Sequence, residues 1–252
     1  MSEDATVRHY LDFVLYESDR WRDMLSRPSV VHPPVITISR EAGAGASAVA
    51  TELVARFGSG AEPGAPPWTV FDRDLIDRVL QDHDLPARLA DSMPEDRVSG
   101  TAETIDQLLG MHPPTWVLVR KTADTILHLA ELGNVIVIGR GANVVTSRLG
   151  YAFHVRLVGS LERRINHVQE QLQVDPATAQ EYVRKHDLGR KRYVKKYYGR
   201  DIADPLLYHL VINTDRVPYA EAAATIEQAV AARHAARVEA ARSSRGRNGS
   251  RP

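Results

Sequence analysis

Residues 35–57, VITISREAGAGASAVATELVARF, run from a short apolar segment through a glycine loop into a helix-forming segment. That is the layout of a phosphate-binding P-loop, in which backbone N–H groups and a helix N-terminus converge on phosphate oxygens. Gly43 and Gly45 let the backbone turn tightly, and the small Ala42, Ala44, Ala46 and Ser47 leave room for the ligand. The familiar pattern asks for Lys followed by Ser or Thr. Here Ala46 and Ser47 stand instead, followed by Ala48. The loop therefore has the backbone of a phosphate cradle without the point charge that follows a transferring phosphoryl group. Arg40 can supply charge from the loop entrance. Ser47 can reach a magnesium ion, one position early for the usual role. Taken alone, the segment is also compatible with a glycine-rich strand-to-helix turn that binds nothing.

A second concentration of chemistry lies between Arg184 and Arg200, where Arg184, Lys185, Arg190, Lys191, Arg192, Lys195, Lys196 and Arg200 are opposed only by Asp187. Arg190 follows Asp187 at the i,i+3 spacing that pairs side chains along a helix. Arginine's planar fork suits phosphate, and arginines on a closing segment can meet the charge that develops in phosphoryl transfer. The same run can be a solvated helix face, or a grip on nucleic-acid backbone. Tyr193, Tyr197 and Tyr198 can stack on bases or anchor the segment to the core.

Carboxylates cluster at Asp72, Asp74 and Asp77. Asp72, at a strand end, is the better candidate for orienting magnesium-bound water or an acceptor. Asp74 and Asp77 are equally suited to a helix start. Arg163 and Arg164 follow the fourth strand, where either can touch phosphate or, the plainer reading, pair at the surface with Glu162 or neighbours. His209, in the apolar LYHLVI, reads as a packed histidine, and Trp68 and Trp116 as core.

The elements that must position these residues alternate. Strands are expected over 35–39, 68–71, 134–138, 152–158 and 209–213. Helices are expected over 46–57, 72–81, 116–132, 160–173, 177–198 and 219–241. Apolar strands between helices predict an α/β parallel sheet covered on both faces. Ligands of such sheets bind beyond the carboxyl ends of the strands, where Ser39, Asp72, Arg140 and Ser160 fall. Residues 9–25 form an amphipathic pattern, either an arm packed on the main domain or a homodimer contact. Residues 242–252 read as a disordered basic tail.

The bulk properties narrow the classes. The chain of 252 residues has 32 basic and 32 acidic side chains, so steering must come from local patches and nucleic-acid binding is disfavoured. Cysteine is absent, which removes disulfides, thiolate nucleophiles and cysteine-bound zinc. The ten histidines form no H-E-x-x-H pattern. With no signal-like start and no long apolar run, the expected setting is cytoplasmic, without a membrane partner.

ITISREAGAGASAVA, VFDRDLIDRVL, NVIVIGRGANVV, FHVRLVGSLERRI, HDLGRKRYVKKYYGRD and LYHLVINTD occur in an order that resembles the cytidylate kinase-like family, relatives of bacterial cytidylate kinase among the nucleoside monophosphate kinases. The resemblance covers about residues 35–230. It implies a P-loop NTPase-like domain with a helical monophosphate-binding insertion over 72–133 and a basic helical lid over 177–205. An N-terminal arm (1–34) precedes it, and the end of the last helix with the tail (231–252) follows.

The implied reaction moves the γ-phosphoryl of ATP, with Mg2+, onto a nucleoside monophosphate, CMP or dCMP by default. Residues 40–47 match the ATP cradle. Asp72, Arg78 and Arg140 match the acceptor side, and Asp187 and Arg190 match the lid. Asn213 and Thr214 match the passage near the ATP base. The chain departs from the pattern at Ala46 and Ala48 in the loop, at Gly141 where cytidylate kinase proper has aspartate, and at His186 where the lid has arginine. Other readings are a nucleotide-binding regulator without transfer, a kinase for another small acceptor, and a nucleic-acid binder using the lid and tail.

Overall fold

The computed structural model describes residues 31–59, 67–72 and 115–248. Its centre is β1 (Val35–Arg40), fully buried until its last residue. Parallel pairing builds outward from it. The other strands are β2 (Thr69–Phe71), β3 (Val135–Ile138), β4 (Ala152–Val158) and β5 (Leu210–Asn213), in the order β2-β3-β1-β4-β5. Val35 pairs with Val135 on one side and Ala152 on the other, so the central strands start level and their carboxyl ends form one edge.

The helices are α1 (Ala46–Ser59), α2 (Thr115–Leu132), α3 (Ala142–Val145), α4 (Leu161–Leu172), α5 (Pro176–Tyr198) and α6 (Tyr219–Asn248). The strand alternation sorts them onto two faces. Val35 and Val137 face a core made with α2, α3 and the end of α5. Ile36 and Ile38 face a second core made with α1 and α6. This is the parallel sheet with helices on both faces that the alternating pattern predicts. A smaller cluster joins Ala42 of the glycine loop to Val168 of α4 and Ala179 and Val183 of α5, so two helices rest on that loop.

Local signals set the ends. Asp175 caps α5 by accepting from the N–H groups of Ala177 and Thr178, with Pro176 in the first turn, and Gly199 closes it at φ 64°. Ser160 caps α4. The last helix runs to Asn248 rather than ending at Ala241, so residues 242–248 of the expected tail are helical. Extending an existing helix adds a hydrogen bond per residue without a new nucleation cost. Trp116 is 41% exposed rather than core, because α2 turns its opposite face, with Leu118, Val119 and Ala123, to the sheet. Trp68 stacks on Phe57 at 4.1 Å. Among the described residues no helix is long and apolar enough to cross a membrane. The expected helix over 9–25 and residues Asp74, Asp77 and Arg78 lie outside the described residues.

Candidate functional site

A cavity of about 570 Å³ opens at the carboxyl edge of the sheet. The whole glycine loop lines it, with Asp72 after β2, Arg140 after β3 and Arg190 from α5. Four segments distant in sequence thus deliver the expected cradle, acceptor-side and lid residues to one space. Asn213 and Thr214 do not line it. Asn213 accepts from the Asp215 N–H at 2.9 Å, and the Thr214 hydroxyl donates to the Val158 carbonyl at 3.2 Å. Both side chains shape the turn after β5.

At the entrance, Arg40 approaches Asp72 at 3.7 Å, and the Ser47 hydroxyl donates to the same carboxylate at 3.2 Å. Ser47 therefore faces the cavity despite its early position in the motif. A hydroxyl and a carboxylate side by side are oxygen donors of the kind magnesium takes beside phosphates. Among the described residues no larger group of acidic, histidine or cysteine side chains could hold a metal.

Helix α5 is tied to the glycine loop through one carboxylate. Asp187 Oδ1 accepts from the Ala42 backbone N–H at 2.7 Å and from Arg190 at 3.3 Å, while Oδ2 accepts from Arg164 at 2.6 Å. Arg190, 8% exposed, is thereby held over the loop. The expected Asp187–Arg190 pair is present.

Arg164 is not a surface residue. It is 8% exposed, lies 3.4 Å from Glu41 and donates to the carbonyls of Ala42 and Gly159, each at 3.0 Å. A Cβ on Gly43, at φ 79°, would stand 2.4 Å from the Arg164 carbonyl, so α4 packs directly onto the loop backbone. Sequence reasoning missed this arginine. The helix cap at Ser160 fixes the phase of α4, but the partners that bury Arg164 lie far away in the chain. Arg163 behaves as expected of a surface residue and donates to the Asp215 carbonyl at 3.1 Å.

Behind this layer, Arg156 of β4 is 6% exposed and donates to the Ser39 hydroxyl at 3.0 Å, with its guanidinium 4.0 Å from Glu41. It too was absent from the expected set. An arginine inside the apolar run of β4 points to a buried partner, and that is the one signal the sequence offers.

The basic run of α5 divides by face. Arg184, Lys185, Lys191, Arg192 and Lys195 are exposed, whereas Arg190 turns inward. Tyr193, Tyr197 and Tyr198 are buried in the core, so they anchor α5 rather than offer rings to a base.

Arg140 lies in a left-handed turn, with Gly139 at φ 85°, Arg140 at 56° and Gly141 at 66°. Such a run is uncommon for a non-glycine residue. The Tyr198 hydroxyl donates to the Arg140 carbonyl at 3.1 Å and helps hold the turn. A Cβ at Gly141 would come within 2.3 Å of the Tyr198 ring. That crowding and the positive φ leave room for glycine alone at this position. His186 stacks on Tyr182 at 3.7 Å, and its Nδ1 lies 2.7 Å from the Tyr182 carbonyl.

Among solved structures, an uncharacterized protein from Eubacterium ventriosum ATCC 27560 is similar at 20% identity, over 78% of this chain and 98% of the other, with TM-score 0.57. At that identity the likeness is one of fold. Shikimate kinase from Acinetobacter baumannii in complex with shikimate matches at 16% identity, over 79% and 94% of the two chains, with TM-score 0.40. A gluconokinase from Sinorhizobium meliloti 1021 matches at 12% identity, over 82% and 94%, with TM-score 0.41. No curated protein matched the chain. The profile of the cytidylate kinase-like family aligns with residues 35–216, from the first residue of β1 through the turn after β5, and so spans the glycine loop, the Arg140 turn and α5 together. With that continuous match over most of its length, the chain belongs to the cytidylate kinase-like family.

Proposed function

We propose that the protein transfers the γ-phosphoryl group of ATP to a small acceptor, with CMP or dCMP as the first candidates. The observation that carries this reading is the placement of Arg190. It is held beside the glycine loop by an aspartate that is itself hydrogen-bonded to the loop backbone. A cation fixed there meets charge on transferring oxygens without reorganising during the reaction.

In this reading the loop backbone and Arg40 hold the triphosphate, and Arg140, with Arg78, orients the acceptor phosphate. Ser47 and Asp72 would hold the magnesium ion, which supplies charge neutralisation between phosphates. The acceptor phosphate is already ionised, so no side chain need act as general base. The buried Ala46 leaves the usual lysine position apolar, and Arg40 and Arg190 are the cations placed to substitute for it. The Gly141 position offers no carboxylate to an acceptor base, so base preference would come from other groups.

Ala46 also favours a second reading, a nucleotide-binding regulator without transfer. A coupled ADP-release assay with ATP, magnesium and a panel of ribo- and deoxyribonucleoside monophosphates separates the two. Turnover with CMP or dCMP that is lost in R190A supports the kinase. ATP binding with no ADP formed across the panel supports the regulator, or a kinase with an unrelated acceptor.

A further inference from the structure

Arg164 lies against the glycine loop. It is not among the described residues that line the phosphate-facing cavity, whereas Ala42 and Arg190 are. Its guanidinium nevertheless holds groups that belong to that cavity. Nη1 donates to the Ala42 carbonyl at 3.0 Å and to Asp187 Oδ2 at 2.6 Å, and Nε donates to the Gly159 carbonyl at 3.0 Å. Asp187 turns its other oxygen to the Ala42 N–H at 2.7 Å and to Arg190 at 3.3 Å. Ala42 is thus gripped at its N–H by Asp187 and at its carbonyl by Arg164, and those two side chains grip each other.

This closed ring bears on Arg190. A carboxylate held through one oxygen can swing about its last bond. Asp187 is held through both, so the oxygen that faces Arg190 is fixed in place. The two arginines also share the carboxylate unequally. The contact at 2.6 Å to Arg164 takes more of its charge than the contact at 3.3 Å to Arg190. Without Arg164, Asp187 would turn both oxygens to Arg190, the arrangement that a guanidinium fork favours. Arg190 would then be drawn from the loop and its charge neutralised. Arg164 is a firm reference for this arrangement, because its own carbonyl would stand 2.4 Å from a Cβ on Gly43. The arrangement matters here because the usual lysine position is Ala46, which leaves the loop dependent on a cation from another segment.

We infer that Arg164 is a positioning residue for phosphoryl transfer. It commits Asp187 to the glycine loop and thereby sets where the Arg190 charge stands, while touching neither nucleotide nor acceptor. The inference rests on the phosphotransfer reading and adds to it a residue from outside the cavity.

Two measurements on the full chain test it. The first is kinetic. R164K keeps a charge but, as a compact donor without the fork, cannot hold the Ala42 carbonyl and Asp187 in the same way. It should lower kcat about tenfold or more, as small displacements of a catalytic group do, with little change in ATP affinity. In R190A the same substitution should have little further effect on kcat, because the two residues act in one chain. I126V truncates a side chain in the core cluster that contains no glycine-loop residue. It should lower the urea midpoint without lowering kcat, which separates positioning from stability. R164Q, whose amide still donates, takes the same comparison if R164K does not fold.

The second measurement needs no turnover. In protein with isotope-labelled arginine, the Arg190 Nε–Hε signal, identified by its loss in R190A, should shift when ATP binds to the parent. At the same ATP occupancy the shift should be smaller in R164K. A parent that forms no ADP with any acceptor, yet shows this response and its reduction, would sink the phosphotransfer reading and still support the positioning of Arg190 by Arg164. Either of two results would overturn the inference: an equal fractional loss of kcat from R164K in the parent and in R190A, or an Arg190 response that R164K leaves unchanged.

Discussion

Arg164 and Asp187 meet at 2.6 Å across the glycine loop, one from α4 and the other from α5. The same guanidinium reaches Glu41 at 3.4 Å, and the same carboxylate reaches the Ala42 N–H at 2.7 Å. The glycine loop, α4 and α5 share a single polar joint. Removing one member of a buried charged pair costs about 3–5 kcal/mol, because the partner is left uncompensated. R164A should lose stability on that scale in urea unfolding. R164K, which keeps charge but not the fork, should recover part of it. An R164A protein as stable as the parent would show that the joint contributes no net stability.

Arg190 should act on the rate rather than on binding. Its fixed position beside the loop suits charge that appears only in transfer, so R190A should lower kcat about a hundredfold or more while ATP affinity changes little. Steady-state kinetics alongside direct ATP titration make the comparison. Equal losses in both would assign Arg190 to ground-state binding.

Ser47 and Asp72 should set the magnesium requirement. S47A and D72N should each shift half-maximal magnesium in the ADP-release assay upward by about tenfold, one lost oxygen contact being worth roughly that much. D72N also removes the charge that faces Arg40 at 3.7 Å, so its effect should be the larger. An unchanged magnesium profile in both would place the ion elsewhere.

His154 should make the fold acid-sensitive. Burial, then the nearby His209 and Arg233, lowers its folded pKa from 6.5 to about 3. The unfolded chain takes up the proton first as pH falls below about 6.5, so stability is full above that pH and declines toward pH 3. The slope from this one group is at most about 1.4 kcal/mol per pH unit. H154Q, which keeps a polar group near Thr37, should flatten the slope between pH 6 and 4 in urea unfolding. A parent protein whose stability is constant over that window would contradict the buried neutral histidine.

What could be read from the sequence is what depends on neighbours in the chain. The β-branched run of β3 and the alternation along β1 identify strands locally, and the i,i+3 spacing predicts the Asp187–Arg190 pair. The spacing of Gly43 and Gly45 predicts a tight loop, and its φ angles agree. The burial of Arg164 could not be read this way. SLERRINH is a charged amphipathic segment, and only the packing of α4 against Gly43 and α5 decides which of two adjacent arginines turns inward. Trp116 failed for the converse reason: a large apolar residue at a helix start went to the face the sheet does not cover. The tyrosines of α5 stayed ambiguous because aromatic character alone does not choose between a core and a nucleotide base.

The contact between Gly141 and Tyr198 constrains how this protein can change by mutation. Placing an aspartate at position 141 requires that the ring from position 198 first retreat, since the new Cβ would fall 2.3 Å from it. Shrinking Tyr198 alone empties a fully buried site and removes the hydrogen bond to the Arg140 carbonyl. Removing the ring would relieve the contact but not the left-handed backbone at position 141, which strains any side chain placed there. The residue at position 141 and the ring at position 198 thus form one packing unit, and the size of either limits the size of the other.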